Sequence, residues 1–366
     1  MFDWSSLFLF SGAVNALLGI VILLIKRPKH SWKLILWPIF ILLCIVLILF
    51  ERIVRFSGLV ESHPQLLFTT SPLFFILLPL MYCFQKQLIA LPKYWFLHFV
   101  FPLLVLVWLI PTLLMTGQEK WEMYSRANIS DPLWIIVLYL IFALYYTIRI
   151  FRINRDHRRI LLNNYTSPDI HFQLFSNRIV FISIVLTFAI PLSFFIQYVE
   201  FSIKEGLLFE KFFFILFSGI AHIFLLSVIL NRQPQPLYVA EDDLKKQPPT
   251  LENLKGLKET LLDYMNTAHP HLNKDLTLQF LADQMGWSRS QLSGVINKGF
   301  SKNFYDFINQ YRIEQIKTKL NAGEHQKYSL EHIVTQCGFK SYVSFYRVFK
   351  RFTHTSPKDY TQTLKK

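Results

Sequence analysis

The chain changes its hydrophobic rhythm about two thirds of the way along. Up to residue 232, long apolar runs alternate with short polar linkers, at 5–25, 34–55, 66–85, 94–115, 132–151, 179–199 and 211–231. Each run is close to the roughly 20 apolar residues that a helix needs to cross a bilayer core. Pro72 and Pro79 interrupt the third run, which a membrane helix tolerates when neighbours satisfy the freed carbonyls. Trp32, Trp37, Trp95, Trp121 and Trp134 fall near run ends, where an interfacial aromatic belt would sit. The pattern predicts a seven-transmembrane helical bundle over 1–232.

The segment "NRQPQPLYVAEDDLKKQPPT" (231–250) ends that pattern with four prolines and mixed charge. It reads as a semi-rigid linker over 233–250. In the remaining domain, 251–366, apolar residues recur every three or four positions, so the predicted class is all-α throughout. A first amphipathic helix carries Leu254, Leu257, Leu261, Leu262 and Met265. In "LTLQFLADQMGWSRSQLSGVINKGF" (276–300), Thr277 can cap a helix with Leu278, Leu281 and Ala282 inward, and Gly286 can end it in the left-handed conformation. Ser288 and Gln291 have the spacing of a capping box for a second helix burying Leu292, Val295 and Ile296. Arg289, Ser293 and Asn297 recur on its other face.

The stretch "SLEHIVTQCGFKSYVSFYRVFKRF" (329–352) repeats the arrangement. Ser329 caps, Ile333, Val334 and Cys337 face inward, and Gly338 breaks the helix. A following helix buries Phe345, Val348, Phe349 and Phe352, with Lys340, Ser344, Arg347 and Arg351 outward. Helix, glycine turn and capped helix make a helix-turn-helix unit, and here there are two. Between them, "NFYDFINQYRIEQIKTKL" (303–320) reads as one amphipathic helix with Phe304, Phe307, Ile308, Tyr311, Ile316 and Leu320 on its buried side. Such a strut would hold two recognition helices about one DNA turn, roughly 34 Å, apart.

Charge sharpens this division. Residues 1–232 carry 19 Lys and Arg with 11 Asp and Glu, while 233–366 carry 19 and 13 in little more than half the length. Twelve basic residues lie in the linkers after runs one, three and five, and six in the alternate linkers. The positive-inside rule then sets the N-terminus outside and the C-terminal domain in the cytoplasm. The first run lacks a basic leader and is followed by Lys26, Arg27 and Lys29, so it is expected to remain in the membrane. Cys44, Cys83 and Cys337 form no close pair, against a disulfide framework or zinc site. Asn15, His98, Gln197 and His222 lie within or near the ends of apolar runs, and helix–helix hydrogen bonding accounts for them more simply than a ligand does. "FRINRDHRRILLNN" (151–164) is basic and partly amphipathic, suited to anionic headgroups. No HExxH, GxSxG, paired-carboxylate or P-loop pattern occurs in 1–232, and neither enzymatic activity nor a cofactor is expected.

The C-terminal motifs, above all "LTLQFLADQMGWSRSQLSGVIN", "FYDFINQYRIEQIKTKL" and "CGFKSYVSFYRVFKRF" followed by "SPKDY", resemble the DNA-binding domain of the AraC/XylS family of bacterial transcription regulators over about 251–362. The resemblance implies sequence-specific promoter binding with recognition helices at about 288–299 and 341–352. Candidate DNA contacts are Arg289, Ser290, Ser293 and Asn297 in the first, and Lys340, Ser341, Tyr342, Ser344, Arg347, Lys350 and Arg351 in the second. Arg312 matches a position that is structural in the family. Departures are Val334 for a small residue, His354 for a glycine, Thr361 for an arginine, and Gly294 where arginine is frequent. The whole chain is similar in arrangement to membrane-attached bacterial members of that family. That similarity implies an inner-membrane regulator whose partners are promoter DNA, the lipid bilayer, a second copy of itself, RNA polymerase, and a small-molecule or membrane signal whose identity is open. Two alternatives stand beside this reading: a transporter or enzyme with an appended regulatory helix-turn-helix domain, and a passive anchor whose soluble domain binds protein.

Overall fold

The computed structural model describes residues 4–25, 33–87, 94–125, 133–166, 177–188, 192, 203–230 and 253–364. Apolar runs offer the backbone no competing polar side chains, so their amide groups close on themselves as helices. The first elements are α1 (Trp4–Ile25), α2 (Lys33–Phe56), α3 (Ser71–Gln87), α4 (Val100–Leu114), α5 (Gly117–Ser125), α6 (Leu133–Asn164), α7 (Asn177–Phe188) and α8 (Ile203–Leu230). Helix therefore falls within every one of the seven apolar runs. Among the described residues, four segments are long and apolar enough to cross a membrane: Trp4–Ile25, Pro64–Gln87, Trp95–Leu114 and Ile136–Asn164. Gln197, Trp32 and the 233–250 linker lie outside the described residues.

The chain divides into two compact units. One comprises Met1–Arg155 with Ile170–Tyr238, the other Asp156–Asp169 with Val239–Lys366. In the first, α1 packs on α2 and α8, α2 on α3, and α3 on α4. Large apolar side chains such as Leu7, Phe10, Leu103, Ile141 and Phe212 remain exposed on its surface. Several of its buried polar groups pair with one another. Arg52 and Arg55 each donate to Glu210 Oε1 (2.7 and 2.8 Å), and Thr70 donates to Glu51 (2.8 Å). His98 Nδ1 lies 3.1 Å from the Tyr146 hydroxyl, and His222 Nε2 lies 3.1 Å from Ser11 Oγ, the helix–helix role expected of both.

The second unit contains the last nine residues of α6 and seven further helices: α9 (Leu254–Thr267), α10 (Leu278–Gln284), α11 (Arg289–Gly294), α12 (Phe304–Asn321), α13 (Leu330–Gln336), α14 (Tyr342–Thr353) and α15 (Pro357–Thr363). The expected hydroxyl N-caps form, although at Ser288 only the serine half of the expected capping box is seen. The hydroxyls of Thr277, Ser288 and Ser329 accept the backbone N–H three residues on, as does Ser341 ahead of α14. Gly286 and Gly338 take the left-handed conformation at the two turns (φ +68° and +84°). At Gly338 any Cβ would also collide with the His271 carbonyl, so that turn requires glycine twice over.

Two cores result. One gathers Leu261, Leu281, Leu292 and Ile296 with Phe304, Phe307 and Ile308 of α12. The other gathers Ile333, Cys337, Phe345 and Phe349 with Ile313, Ile316 and Leu320. The strut α12 is thus shared, but not by a single buried side as its sequence suggests. At 100° per residue, Ile308 lies about 40° from Phe304 and Ile313 about 180° from it, so the helix buries opposite faces at its two ends. Tyr311 is only half-buried, and Arg312, between the two sets, is fully buried.

Candidate nucleic-acid interface

The helix pair α13–α14 presents the clearest face. With Phe345, Val348 and Phe349 in the core, the helical period turns Val343, Tyr346, Arg347 and Lys350 outward together. All four are exposed, Val343 by 62% and Tyr346 by 38%. Val343 and Tyr346 escaped the sequence reading, which sought polar groups. The signal was present in their i, i+3, i+4, i+7 spacing with Arg347 and Lys350.

The remaining candidates on this unit are partly committed within the domain. Lys340 Nζ pairs with Asp275 (2.7 Å), and that ammonium holds the Asp275 carboxyl below its usual range. Arg351 pairs with Asp306 and lies over the rings of Tyr305 and Phe352. Ser341 accepts the Ser344 amide as the cap of α14. The Tyr342 ring packs on the second core beside Phe345, and burial raises its hydroxyl pKa. Both ion pairs are exposed and worth about 1 kcal/mol or less, so a phosphate could recruit either cation.

The first unit is arranged differently. Its α-helix stops at Gly294, and residues 295–299 wind as a wider π turn where one continuous recognition helix to 299 was expected. Asn297 is exposed and donates to Ser293 Oγ (3.1 Å). Ser290 is half-buried. Arg289, at the first position of α11, donates from both Nε and Nη2 to Asn164 Oδ1 (3.0 and 2.5 Å). Next to that contact, Tyr165 forms an isolated antiparallel bridge with Thr277.

Arg312 makes no DNA contact possible, because its guanidinium is enclosed. Nε donates to the His271 carbonyl (2.7 Å) and Nη2 to the Asn273 carbonyl (2.8 Å). Longer bonds reach Asn309 and Thr166. Burial pushes its pKa down to about 10, which still leaves it charged. Its role is to join the 270–273 turn to α12, consistent with the structural part implied for it.

Residues 281–363 match the family described as "Helix-turn-helix domain". Ninety residues of the chain are 39% identical to an uncharacterised HTH-type transcriptional regulator of Staphylococcus aureus strain COL, and to another of strain MSSA476, covering 25% of this chain. The chain spans 12% of the length of these curated relatives. No solved structure matches the chain. Residues 281–363 are therefore an AraC-type helix-turn-helix domain, and the chain is homologous over ninety residues to part of HTH-type transcriptional regulators.

Proposed function

We propose that this chain is a membrane-embedded transcription factor that binds promoter DNA sequence-specifically through two helix-turn-helix units. The observation that carries the reading is the outward face of α14 inside the matched domain. There, Arg347 can pair bidentately with guanine O6 and N7, Lys350 can hold phosphate, and Val343 and Tyr346 offer apolar contact to a thymine methyl. The net charge of +7 over 257–366 supplies sequence-independent attraction that weakens with salt. In this reading α11 and α14 are the two recognition helices and α12 sets their spacing. Residues 1–232 form seven spans that receive a signal in or outside the membrane, with the C-terminal domain in the cytoplasm acting as a homodimer that engages RNA polymerase. The four apolar segments of membrane-crossing length support the membrane placement.

The test is selection from random duplex DNA, followed by salt titration on the enriched site. The expected motif has two half-sites about one helical turn apart. Arg347→Ala with Lys350→Ala should weaken binding by about 2–4 kcal/mol and lower the salt slope by at least about 1, with the fold unchanged. Sequence-blind binding by the wild type would sink the regulator reading.

A further inference from the structure

Residues 164–166 reach the C-terminal helices from 110 to 146 positions upstream of their partners. We infer that they are a releasable clasp on the first helix-turn-helix unit, which holds the chain in a weak DNA-binding state while docked. The inference rests on the DNA-binding reading above and deepens it by assigning the site a regulatory contact.

The chemistry at Arg289 is the first argument. A guanidinium reads guanine with a fork of two parallel N–H donors. Here the Nε and Nη2 donors, one complete fork, both converge on Asn164 Oδ1. While Asn164 stays, that edge of Arg289 is closed to a base.

The seating of the segment is the second. Thr166 is 2% exposed. Its hydroxyl donates to the Leu276 carbonyl (3.0 Å) and accepts from Arg312, and its carbonyl accepts from Asn309 Nδ2 (3.1 Å). Together with the Tyr165–Thr277 bridge, these contacts grip the start of α10 and the middle of α12, the elements that position α11.

Reversibility is the third. The two gripping side chains are small and uncharged, and the larger Tyr165 between them is 38% exposed. Hydrogen bonds of this kind are lost once donor and acceptor separate beyond about 3.5 Å. Asn164 is the last residue of α6, and Ile136–Asn164 is one of the four apolar segments of membrane-crossing length. A rotation or shift of that helix end by a fraction of a turn would carry Asn164 out of reach of Arg289. The hydrogen bonds of the segment described above go to Arg289, Leu276, Asn309 and Arg312 and to none of the exposed residues of α14, so the docked state engages one reading helix and leaves the other face available.

The test locks the clasp in the full chain, reconstituted in lipid nanodiscs, with Tyr165→Cys and Thr277→Cys. Bridge partners have Cα atoms about 4.5–5.5 Å apart, within disulfide range, and the native Cys44, Cys83 and Cys337 are buried. The probe is the duplex recovered by selection. Oxidation is expected to lower specific affinity about tenfold, about 1.4 kcal/mol, with full recovery on reduction, so the reduced form is its own folding control. Asn164→Ala is expected to tighten binding several-fold. Equal affinity of the oxidised and reduced forms would overturn the clasp while leaving the DNA reading intact. Failure of the pair to cross-link would overturn it by showing the segment undocked. Absence of sequence-specific binding in the reduced form and in the wild type would instead overturn the DNA reading, and the clasp with it.

Discussion

Arg312→Met tests how a fully buried cation is kept in this domain. The guanidinium has four hydrogen-bond acceptors and no carboxylate among them, and its pKa near 10 corresponds to about 3 kcal/mol set against the charged form by burial. Against that stand two short bonds to backbone carbonyls, each worth about 1.5–3 kcal/mol to a charged donor. The Asn273 carbonyl also accepts the Leu276 amide (3.3 Å), so the His271 carbonyl suffers more when Arg312 is removed. Methionine keeps the apolar stem and leaves no orphaned counter-charge, unlike a broken buried ion pair. The balance predicts a loss of about 2 kcal/mol, and Arg312→Ala adds a cavity for about 4 in total. Hydrogen exchange of α12 amides in the full chain reads this directly, since 2 kcal/mol is about thirtyfold faster exchange. Unchanged or slower exchange in Arg312→Met would show that charge burial cancels the hydrogen bonds, and would refute the reasoning.

Three further outcomes are expected. His354 ends α14 in the left-handed conformation (φ +57°), where a side chain costs about 1 kcal/mol or more, so His354→Gly should stabilise the domain by about 1 kcal/mol in urea unfolding. Gly338→Ala should do the reverse by about 3 kcal/mol, because its methyl meets the His271 carbonyl at positive φ, and a thermal melt should show it. His271 is buried, and burial first, then His269 and the Arg312 guanidinium, push its pKa down to about 4 from an unfolded value of 6.5. The unfolded chain therefore binds the extra proton between those values. Stability is whole above pH 6.5 and falls by about 1.4 kcal/mol per unit, about 3 in all, as pH drops toward 4. His271→Leu should flatten that part of the pH–stability curve, and an unaltered slope would assign it to other groups.

Much of the C-terminal domain was legible from local chemistry. The caps at Thr277, Ser288 and Ser329 and the breaks at Gly286 and Gly338 depend on a side chain and the backbone within three residues of it, so short-range spacing suffices to find them. The core positions of α14 follow from one helical period applied to Phe345, Val348 and Phe349. By the same logic the apolar runs announced their helices. Val343 and Tyr346 were legible too, but only to a reading that asks which positions face out rather than which are charged.

What the tertiary structure decided is where distant groups meet. One helical wheel cannot show that α12 buries opposite faces at its two ends, because that depends on two cores closing on it from different sides. The pairing of Lys340 with Asp275 and of Arg351 with Asp306 engages two of the expected cations in exposed ion pairs, and each partner lies 45 residues or more away. Arg289 meets Asn164 across 125 positions. Sequence by itself determines what each residue can do, through its own hydrogen-bonding, charge and conformational range. Which of those capacities is spent inside the molecule is a matter of non-local closure, and only the folded chain settles it.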